Sequence, residues 1–224
     1  MNILTPDWSA PKHIHAFTTL KNQKVRPDQN PEFEKQFSLP TKPIWLNQVH
    51  GIDAVQARSE YLNHDADASF STEVNQICTV MTADCLPILL CNAKGSKVAA
   101  IHAGWRGLAS GVIENTLLKL TEQNDEWLAW LGPAIGPQCF EVGNDVWHAF
   151  VSKDPLAATA FKPKSDAKWL ANLYQLAKIR LAKLGIKKIF GGEYCTYTQD
   201  DLFYSYRRDK GETGRMASLI WIGE

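Results

Sequence analysis

Three residues that lie far apart in the sequence, His50, Cys85 and His102, have the side chains of a metal site. Each lies at or just beyond the end of a predicted strand, beside a small or turn-forming residue, so a folded sheet can bring all three to one edge. Two imidazoles and one thiolate suit zinc, and a catalytic zinc site uses three protein ligands and keeps a fourth position for water or substrate. The alternative is purely structural, with Cys85 as a buried thiol and both histidines as hydrogen-bonded residues at strand ends.

Arginines near glycines form the second set of candidate residues, because they could hold an anionic substrate. Arg106 lies at the approach to a predicted helix start, where anions bind. Arg207 and Arg208 lie with Arg215 in segment 203–215, whose glycines let the backbone come close to a ligand. A guanidinium suits phosphate or a carboxylate because it can donate two parallel hydrogen bonds. For the arginines of this segment, salt bridges with neighbouring acidic residues are the alternative.

Catalytic roles follow if zinc binds at the three ligands. Zinc makes a bound water acidic enough to supply hydroxide near neutral pH. Cys85, His102 and Arg106 are then predicted to act at the reacting atoms. Asp84, beside Cys85, is the candidate that moves protons. The alternative for Asp84 is a cap at a turn or at the end of a strand.

Composition narrows the classes of partner. The 224 residues include 24 Lys and Arg and 24 Asp and Glu, with no block of like charge, so we expect no nucleic-acid or membrane surface and a small ligand. The N-terminus lacks a signal-peptide pattern and no apolar run is long enough for a membrane span, which predicts a cytoplasmic protein, either a monomer or a small homo-oligomer. Five cysteines without a CxxC spacing argue against a disulfide framework.

Several common catalytic motifs are missing from the sequence. There is no HExxH, G-x-S-x-G, P-loop or G-x-G-x-x-G. Zincin proteases, α/β-hydrolases, Walker-type nucleotide hydrolases and Rossmann dinucleotide-binding proteins therefore have no support from the sequence. The H-x-E and P-C-x-x-C pair of zinc nucleobase deaminases is also absent, so a deaminase of this sequence would need a different metal site.

The elements that must position these residues can be predicted from periodicity. Apolar, β-branched runs predict strands at 43–49, 76–82, 87–92, 97–103, 126–132, 187–192 and 216–223. Helical spacing predicts helices at 107–120, at 143–151 with Asn144 as its cap, and at 166–185 with Asp166 as its start and Gly185 as its stop. Segment 20–43, which has four prolines, is predicted to be a loop. Strands and helices mix without strict βαβ alternation, so we expect an α+β fold with a mixed sheet flanked by helices, in one domain of residues 1–224.

Six motifs in order along the chain resemble the YfiH family, also called the laccase-domain or multicopper polyphenol oxidase family. They are "WLNQVHG", "MTADCLPILLCN", "VAAIHAGWRGLASGVIENTL", "LGPAIGP", "FEVG" and "YSYRRDKGETGRMASLIWI". The resemblance implies a sandwich-like α+β fold and a zinc ion held by His50, Cys85 and His102. It also implies phosphorolysis of adenosine, inosine, guanosine or methylthioadenosine, and deamination of adenosine. The "TR-GGVS" segment that family members carry near the N-terminus is not present here.

Three other functions remain open alternatives. The first is a copper-dependent polyphenol oxidase, since two histidines and a cysteine also suit copper, although six histidines are few for a multicopper enzyme. The second is a metal-free hydrolase of a cell-wall precursor, with Cys85 as nucleophile and His102 or His50 as its base. The third is a binding protein without catalytic activity, in which the metal only stabilises the fold.

Overall fold

Two β-sheets of this protein pack against each other, and a third, smaller sheet packs against a helix. The structure, a computed structural model, describes residues 3–25, 30–120 and 125–224. The strands are β1 (Ile3–Leu4), β2 (Ile14–Thr19), β3 (Ala54–Gln56), β4 (Ala68–Ser71), β5 (Cys78–Thr82), β6 (Leu86–Asn92), β7 (Val98–Ala103), β8 (Trp127–Leu131), β9 (Glu141–Gly143), β10 (Phe161–Ser165), β11 (Lys168–Ala171), β12 (Lys188–Gly191) and β13 (Met216–Ile222). The helices are α1 (Phe33–Gln36), α2 (Trp105–Ser110), α3 (Val112–Leu120), α4 (Asn144–Val151) and α5 (Leu173–Lys183), with 3₁₀ turns at Ser59–Tyr61 and Pro155–Ala160. None of the helices in these three ranges has the length and apolar character needed to cross a bilayer.

The larger sheet is mixed, as the sequence predicts. One sheet has the order β1-β2-β13-β5 and is antiparallel throughout. The larger sheet has the order β12-β8-β6-β7-β4-β3, in which β12 with β8 and β3 with β4 are parallel and the other pairs antiparallel. The third sheet has the order β10-β11-β9. The α+β fold class is therefore confirmed.

The core lies on both faces of the larger sheet. Ile88 and Leu90 of β6 pack in a cluster with the helices, whereas Leu89 and Cys91 of the same strand pack in a cluster with the other sheet. Strands β6 and β7 are buried along their whole length. Because both faces are covered, these strands have continuous apolar sequences instead of the alternating pattern of a half-exposed strand.

The helix predicted at 107–120 is two helices, so this prediction is wrong in one respect. Helix α2 ends and α3 begins around Gly111, whose φ of 107° is in the left-handed region that glycine adopts without strain. The apolar spacing continues across the break, which is why periodicity alone predicts one helix. Helix α2 already begins at Trp105, so Arg106 lies inside α2 and not before a helix.

The predicted start of the last long helix at Asp166 is also wrong. Residues Lys168–Ala171 form β11, and the helix begins only after Asn172, whose side-chain oxygen accepts a hydrogen bond from the Gln175 amide at 3.0 Å. The predicted stop is confirmed, since Gly185 follows the helix in a left-handed conformation with φ of 81°. Asn144 does not cap α4, because Gly143 holds that position and the Asn144 side chain is bonded to Trp169 instead.

Two segments before the metal ligands differ from their predictions. Segment 43–49 is not a regular strand: it makes isolated bridges, and the Gln48 side chain bonds both the amide and the carbonyl of Met81, at 2.7 and 2.8 Å. A side chain thus replaces the backbone ladder that a strand would make with β5. The loop predicted at 20–43, of which 26–29 lie outside the described residues, contains α1, and its Phe33 packs on Phe37 and Trp45.

Candidate metal centre and pocket

His50, Cys85 and His102 converge, as the sequence predicts. His102 is in β7 opposite Pro87 of β6, and Cys85 directly precedes β6, so strand pairing alone brings these two together. His50 comes from the irregular segment that Gln48 fixes, with its Nε2 3.8 Å from the Cys85 Sγ. One ligand atom from each residue lies within 4.8 Å of the other two. Within the described part of the chain, this is the one group of three or more His, Cys, Asp or Glu residues placed to hold a metal ion.

Asp67 is a functional residue that the sequence analysis missed. Its fully buried carboxylate accepts a hydrogen bond from His102 Nδ1 at 2.7 Å. The same carboxylate accepts the backbone amides of Val49, His50 and Gly51, at 3.2, 2.9 and 2.6 Å. A carboxylate that binds Nδ1 fixes the tautomer of the ring and leaves Nε2 free for a metal. Asp67 therefore orients one ligand through its side chain and a second through its backbone.

Asp67 lies before a strand that the sequence analysis did not predict. It directly precedes β4, which pairs with β7, and its carbonyl accepts the His102 amide at 2.7 Å. No short motif links it to His102, because the two are 35 residues apart. Finding it from sequence would have required the order of strands in the sheet.

Charge in the cluster favours the thiolate of Cys85, the form that binds a metal, and keeps on His102 a proton that a metal ion would displace. Burial raises the pKa of the Cys85 thiol, but the adjacent imidazoles of His102 and His50 outweigh burial and lower that pKa to about 6. Burial lowers the pKa of His102, but the Cys85 thiolate and the Asp67 carboxylate raise it to about 9. A thiolate beside a proton-holding imidazole is a site where a cation can take the place of a proton. The donor set of two imidazole nitrogens and one thiolate sulfur fits zinc, and it also fits copper.

Gly104 has no side chain and so leaves room for the side chains of His50 and Cys85. A Cβ atom at this position would lie 2.8 Å from the His50 Cδ2 and 3.1 Å from the Cys85 Sγ. The first distance is shorter than a carbon–carbon contact allows, so His50 would have to move. The absence of a side chain at residue 104 is therefore a condition for the three ligands to meet.

We expect Gly104→Ala to weaken metal binding by about tenfold, because the added methyl group displaces the His50 ring. Competition with a chromophoric chelator measures this affinity. Gly185→Ala is the matched control: its Cβ would meet nothing within 4 Å, but its φ of 81° strains the chain, so stability should fall by about 1 kcal/mol with metal affinity unchanged. Equal losses of affinity in both variants would contradict the steric explanation.

Asp84 connects the metal centre to the C-terminal arginines. Its carboxylate accepts the Thr196 hydroxyl at 2.6 Å and the Arg207 amide at 2.7 Å, and its own φ is 86°. A residue other than glycine in this backbone region is strained and is held there by its surroundings. Asp84 lines the pocket, as a proton carrier must, but both of its oxygens already hold the segment of Arg207 in place.

A pocket of about 900 Å³ extends from the metal centre, within the volume range of small-molecule sites. All three metal-ligand candidates line it, and so do Arg106, Arg207 and Arg215. Aromatic rings support these guanidinium groups: Arg106 lies 4.4 Å from the centre of the Trp105 ring, Arg207 5.6 Å from Phe140 and Arg215 5.7 Å from Tyr206. The pocket thus combines a candidate metal site with three positive charges.

Arg208, also predicted to bind substrate, is not among the described residues that line the pocket. Its guanidinium makes an ion pair with Asp209 at 2.8 Å and donates to the carbonyls of Thr196 and Phe203, at 2.8 and 3.0 Å. These bonds direct the guanidinium donors of Arg208 to groups of the protein itself. Arg208 therefore fits the alternative given for these arginines, a salt bridge with a neighbouring acidic residue.

Comparison with known proteins gives matches over nearly the whole chain. Residues 21–223 match the model of a family described as "Multi-copper polyphenol oxidoreductase laccase". The chain is 46% identical to "Purine nucleoside phosphorylase YfiH" of Shigella flexneri, over 98% of each protein. It is 42% identical to "Purine nucleoside phosphorylase" of Haemophilus influenzae, over 99% of this chain and 100% of that protein.

A solved structure agrees with these sequence matches. The crystal structure of Neisseria meningitidis protein NMB0706 covers 100% of both chains with a TM-score of 0.93 and 43% sequence identity. All residues of the candidate site lie within the range that the family model matches. This chain therefore belongs to the YfiH family, the family with the polyphenol oxidoreductase description.

Proposed function

We propose that this protein is a zinc-dependent purine nucleoside phosphorylase, acting on adenosine, inosine, guanosine or methylthioadenosine, that also deaminates adenosine. The observation that carries the proposal is one pocket lined by both the His50, Cys85 and His102 cluster and three guanidinium groups. The names of the relatives from Shigella flexneri and Haemophilus influenzae support the same reaction class. The pocket volume of about 900 Å³ has room for a nucleoside together with phosphate.

The arginines have the chemistry to bind and orient inorganic phosphate. Arg106 and Arg207 would donate charge-assisted hydrogen bonds to its oxygens, with Arg215 adding positive charge to the same pocket. A phosphate oxygen then attacks C1′ of the ribose, the bond between C1′ and N9 breaks, and the purine leaves with a proton. Holding both reactants in line and stabilising the developing charge supply most of the acceleration in such a reaction.

His50, Cys85 and His102 would hold the zinc ion, and Asp67 would keep His102 oriented toward it. Bound zinc supplies a Lewis acid at the pocket wall. In deamination, water adds at C6 of adenine and ammonia leaves, so a proton must pass from the water to the leaving group. Asp84 is the acidic residue beside Cys85 that lines the pocket and would carry this proton.

The proposal is tested by measuring metal and turnover in one sample, purified without a metal-affinity tag. Elemental analysis for zinc and copper should give about one zinc per chain, the stoichiometry of a three-ligand site. Chromatography after incubation with adenosine and phosphate should give adenine and ribose 1-phosphate, whereas omission of phosphate should leave inosine as the product of deamination. A zinc-loaded protein that converts no purine nucleoside would overturn the proposal.

Replacing Arg207 by alanine should raise KM for phosphate by about tenfold or more, because a charge-assisted hydrogen bond contributes about 1.5–3 kcal/mol. The backbone amide of residue 207 remains, so its bond to Asp84 should keep the segment in place. Initial rates at varied phosphate and fixed inosine measure the effect. Arg58→Ala is the control, since Arg58 pairs with Glu73 and does not line the pocket. A rise in KM for inosine with no change for phosphate would place Arg207 at the nucleoside.

The copper alternative has the family description in its favour. The chain has only six histidines in total, and the described residues form a single metal-binding group of this kind. A multicopper centre needs several such groups, so we propose that copper at this position would give at most a secondary activity. Oxygen uptake with a polyphenol, measured on copper-loaded and zinc-loaded protein, separates the two functions.

A further inference from the structure

Besides Cys85, two cysteines, Cys139 and Cys195, lie beside the pocket and take no part in the candidate metal centre. The amide of Gly136 donates to the Cys195 Sγ at 3.2 Å, and the carbonyl of Gly136 accepts the Cys139 amide at 3.0 Å. A Cβ atom on Gly136 would lie 3.0 Å from the Cys195 Sγ, so Cys195 packs directly on this turn. The Cys195 side chain is near enough to raise the pKa of Cys139, and both residues are free, half-buried thiols.

The surroundings make the two sulfurs chemically unequal. Burial raises the pKa of Cys195, but the Thr198 hydroxyl and the amides of Thr198, Gly136 and Tyr197 donate to its sulfur and bring the pKa below its usual value. Burial and the neighbouring Cys195 instead raise the pKa of Cys139. A thiolate surrounded by donors, with a second thiol in contact, is the arrangement found at thiols that are oxidised reversibly.

We propose that Cys195 and Cys139 form a dithiol that hydroperoxides oxidise reversibly to a disulfide, and that this change regulates the adjacent pocket. The Cys195 thiolate attacks one peroxide oxygen, the O–O bond breaks, and the leaving oxygen takes a proton, which converts Cys195 to a sulfenic acid. The Cys139 sulfur then loses its proton and attacks the Cys195 sulfur, the S–O bond breaks, and water leaves. Two electrons pass from the thiols to the peroxide. A small dithiol reverses the change by two exchange steps and is itself oxidised to a disulfide.

The disulfide would connect two segments that hold pocket residues. Cys139 precedes Phe140, over which Arg207 lies, and the Arg207 guanidinium donates to the carbonyl of Glu141 at 3.1 Å. Cys195 precedes Thr196, whose hydroxyl donates to Asp84. Drawing the two segments together would shift Arg207, so the oxidised protein should bind phosphate less well. This regulatory part rests on the proposed function, whereas the thiol chemistry does not.

The thiol chemistry is tested with hydrogen peroxide on the metal-loaded protein, followed by peptide mass spectrometry without reduction. We expect one cross-linked peptide pair joining Cys139 to Cys195, lost on treatment with dithiothreitol. In Cys139→Ser, the sulfenic acid should persist on Cys195 and form an adduct with dimedone. In Cys195→Ser, Cys139 should form neither adduct nor cross-link. The buried Cys78 and Cys91 are internal controls that should stay unmodified.

Two results would overturn the dithiol assignment: dimedone labelling of Cys139 in preference to Cys195, or oxidation of Cys195 to a sulfinic acid in the wild-type chain with no cross-link.

The coupling to the pocket is tested by measuring KM for phosphate. This KM should rise about tenfold on oxidation, the factor that corresponds to one charge-assisted hydrogen bond, and should return to its first value with dithiothreitol. A cross-linked protein with unchanged KM would overturn the coupling. The mass-spectrometric result does not depend on phosphorylase activity. A protein that forms the cross-link but has no phosphorylase activity would therefore overturn the proposed function and leave the dithiol assignment standing.

Discussion

Cys85→Ser should abolish metal binding and lower phosphorolysis by about a hundredfold or more. Serine lacks the thiolate that His102 and His50 stabilise, and a neutral hydroxyl is a poor ligand for zinc. A bound metal provides several kcal/mol of charge stabilisation, and each 1.36 kcal/mol corresponds to about a factor of ten in rate. Elemental analysis and the chromatographic assay on the same preparation measure both losses.

Cys139→Ser is the matched control for this substitution, because its half-buried thiol is outside the metal cluster. It should retain the zinc and the unoxidised activity. Removing the metal from the wild-type protein with a chelator tests the cysteine-hydrolase alternative at the same time. In that alternative, activity survives chelation and is lost on treatment with iodoacetamide. Zinc retained at full occupancy in Cys85→Ser would show that the cluster is not the binding site.

Asp67→Asn should weaken metal binding by about 10- to 100-fold and reduce the free energy of unfolding by about 3 kcal/mol. One carboxylate oxygen accepts from His102 and the His50 amide, and the other accepts from the amides of Val49 and Gly51. An asparagine side chain has one acceptor oxygen, so in either orientation its NH₂ group faces two donors. The His102 ring and the loop of His50 cannot then both keep their positions.

Chelator competition and urea unfolding, each with and without zinc, measure the two effects of Asp67→Asn. Asp65→Asn is the control, since Asp65 is exposed and makes a single side-chain bond, to Asn47. It should change neither quantity beyond the small range usual for surface substitutions. If Asp67→Asn were as stable as wild type and bound zinc equally well, Asp67 could not be the residue that orients the ligands.

The convergence of the candidate metal ligands Cys85 and His102 was predictable from sequence because its signal is local. Cys85 directly precedes the apolar run that forms β6, and His102 lies near the end of the run that forms β7. Asp67 was not predictable, because its role depends on β4 lying beside β7, a pairing between segments about 30 residues apart. The same holds for Gln48, whose bonds to Met81 replace a strand that the local sequence favours.

The wrong helix start has a similar physical cause. Trp169, Leu170 and Ala171 fit the apolar spacing of the following helix, so propensity and periodicity favour a continuous helix from Asp166. Pairing with β9 at Glu141–Gly143 overrides this local preference and turns the residues into β11. One edge of β11 pairs with the preceding strand β10, and the other edge depends on β9, nearly 30 residues away, which no local pattern reports.

The short separation in sequence between His102 and Arg106 has a thermodynamic consequence. Gly104 links the end of β7 to the start of α2, so His102, a candidate metal ligand, and Arg106, which we propose binds phosphate, lie on one short stretch of backbone. Occupancy at one end can therefore bias the position of the other. Linkage requires that coupling to be reciprocal: whatever factor bound phosphate adds to the affinity for the metal, the metal adds to the affinity for phosphate. The two ligands of this pocket would then behave as mutual effectors.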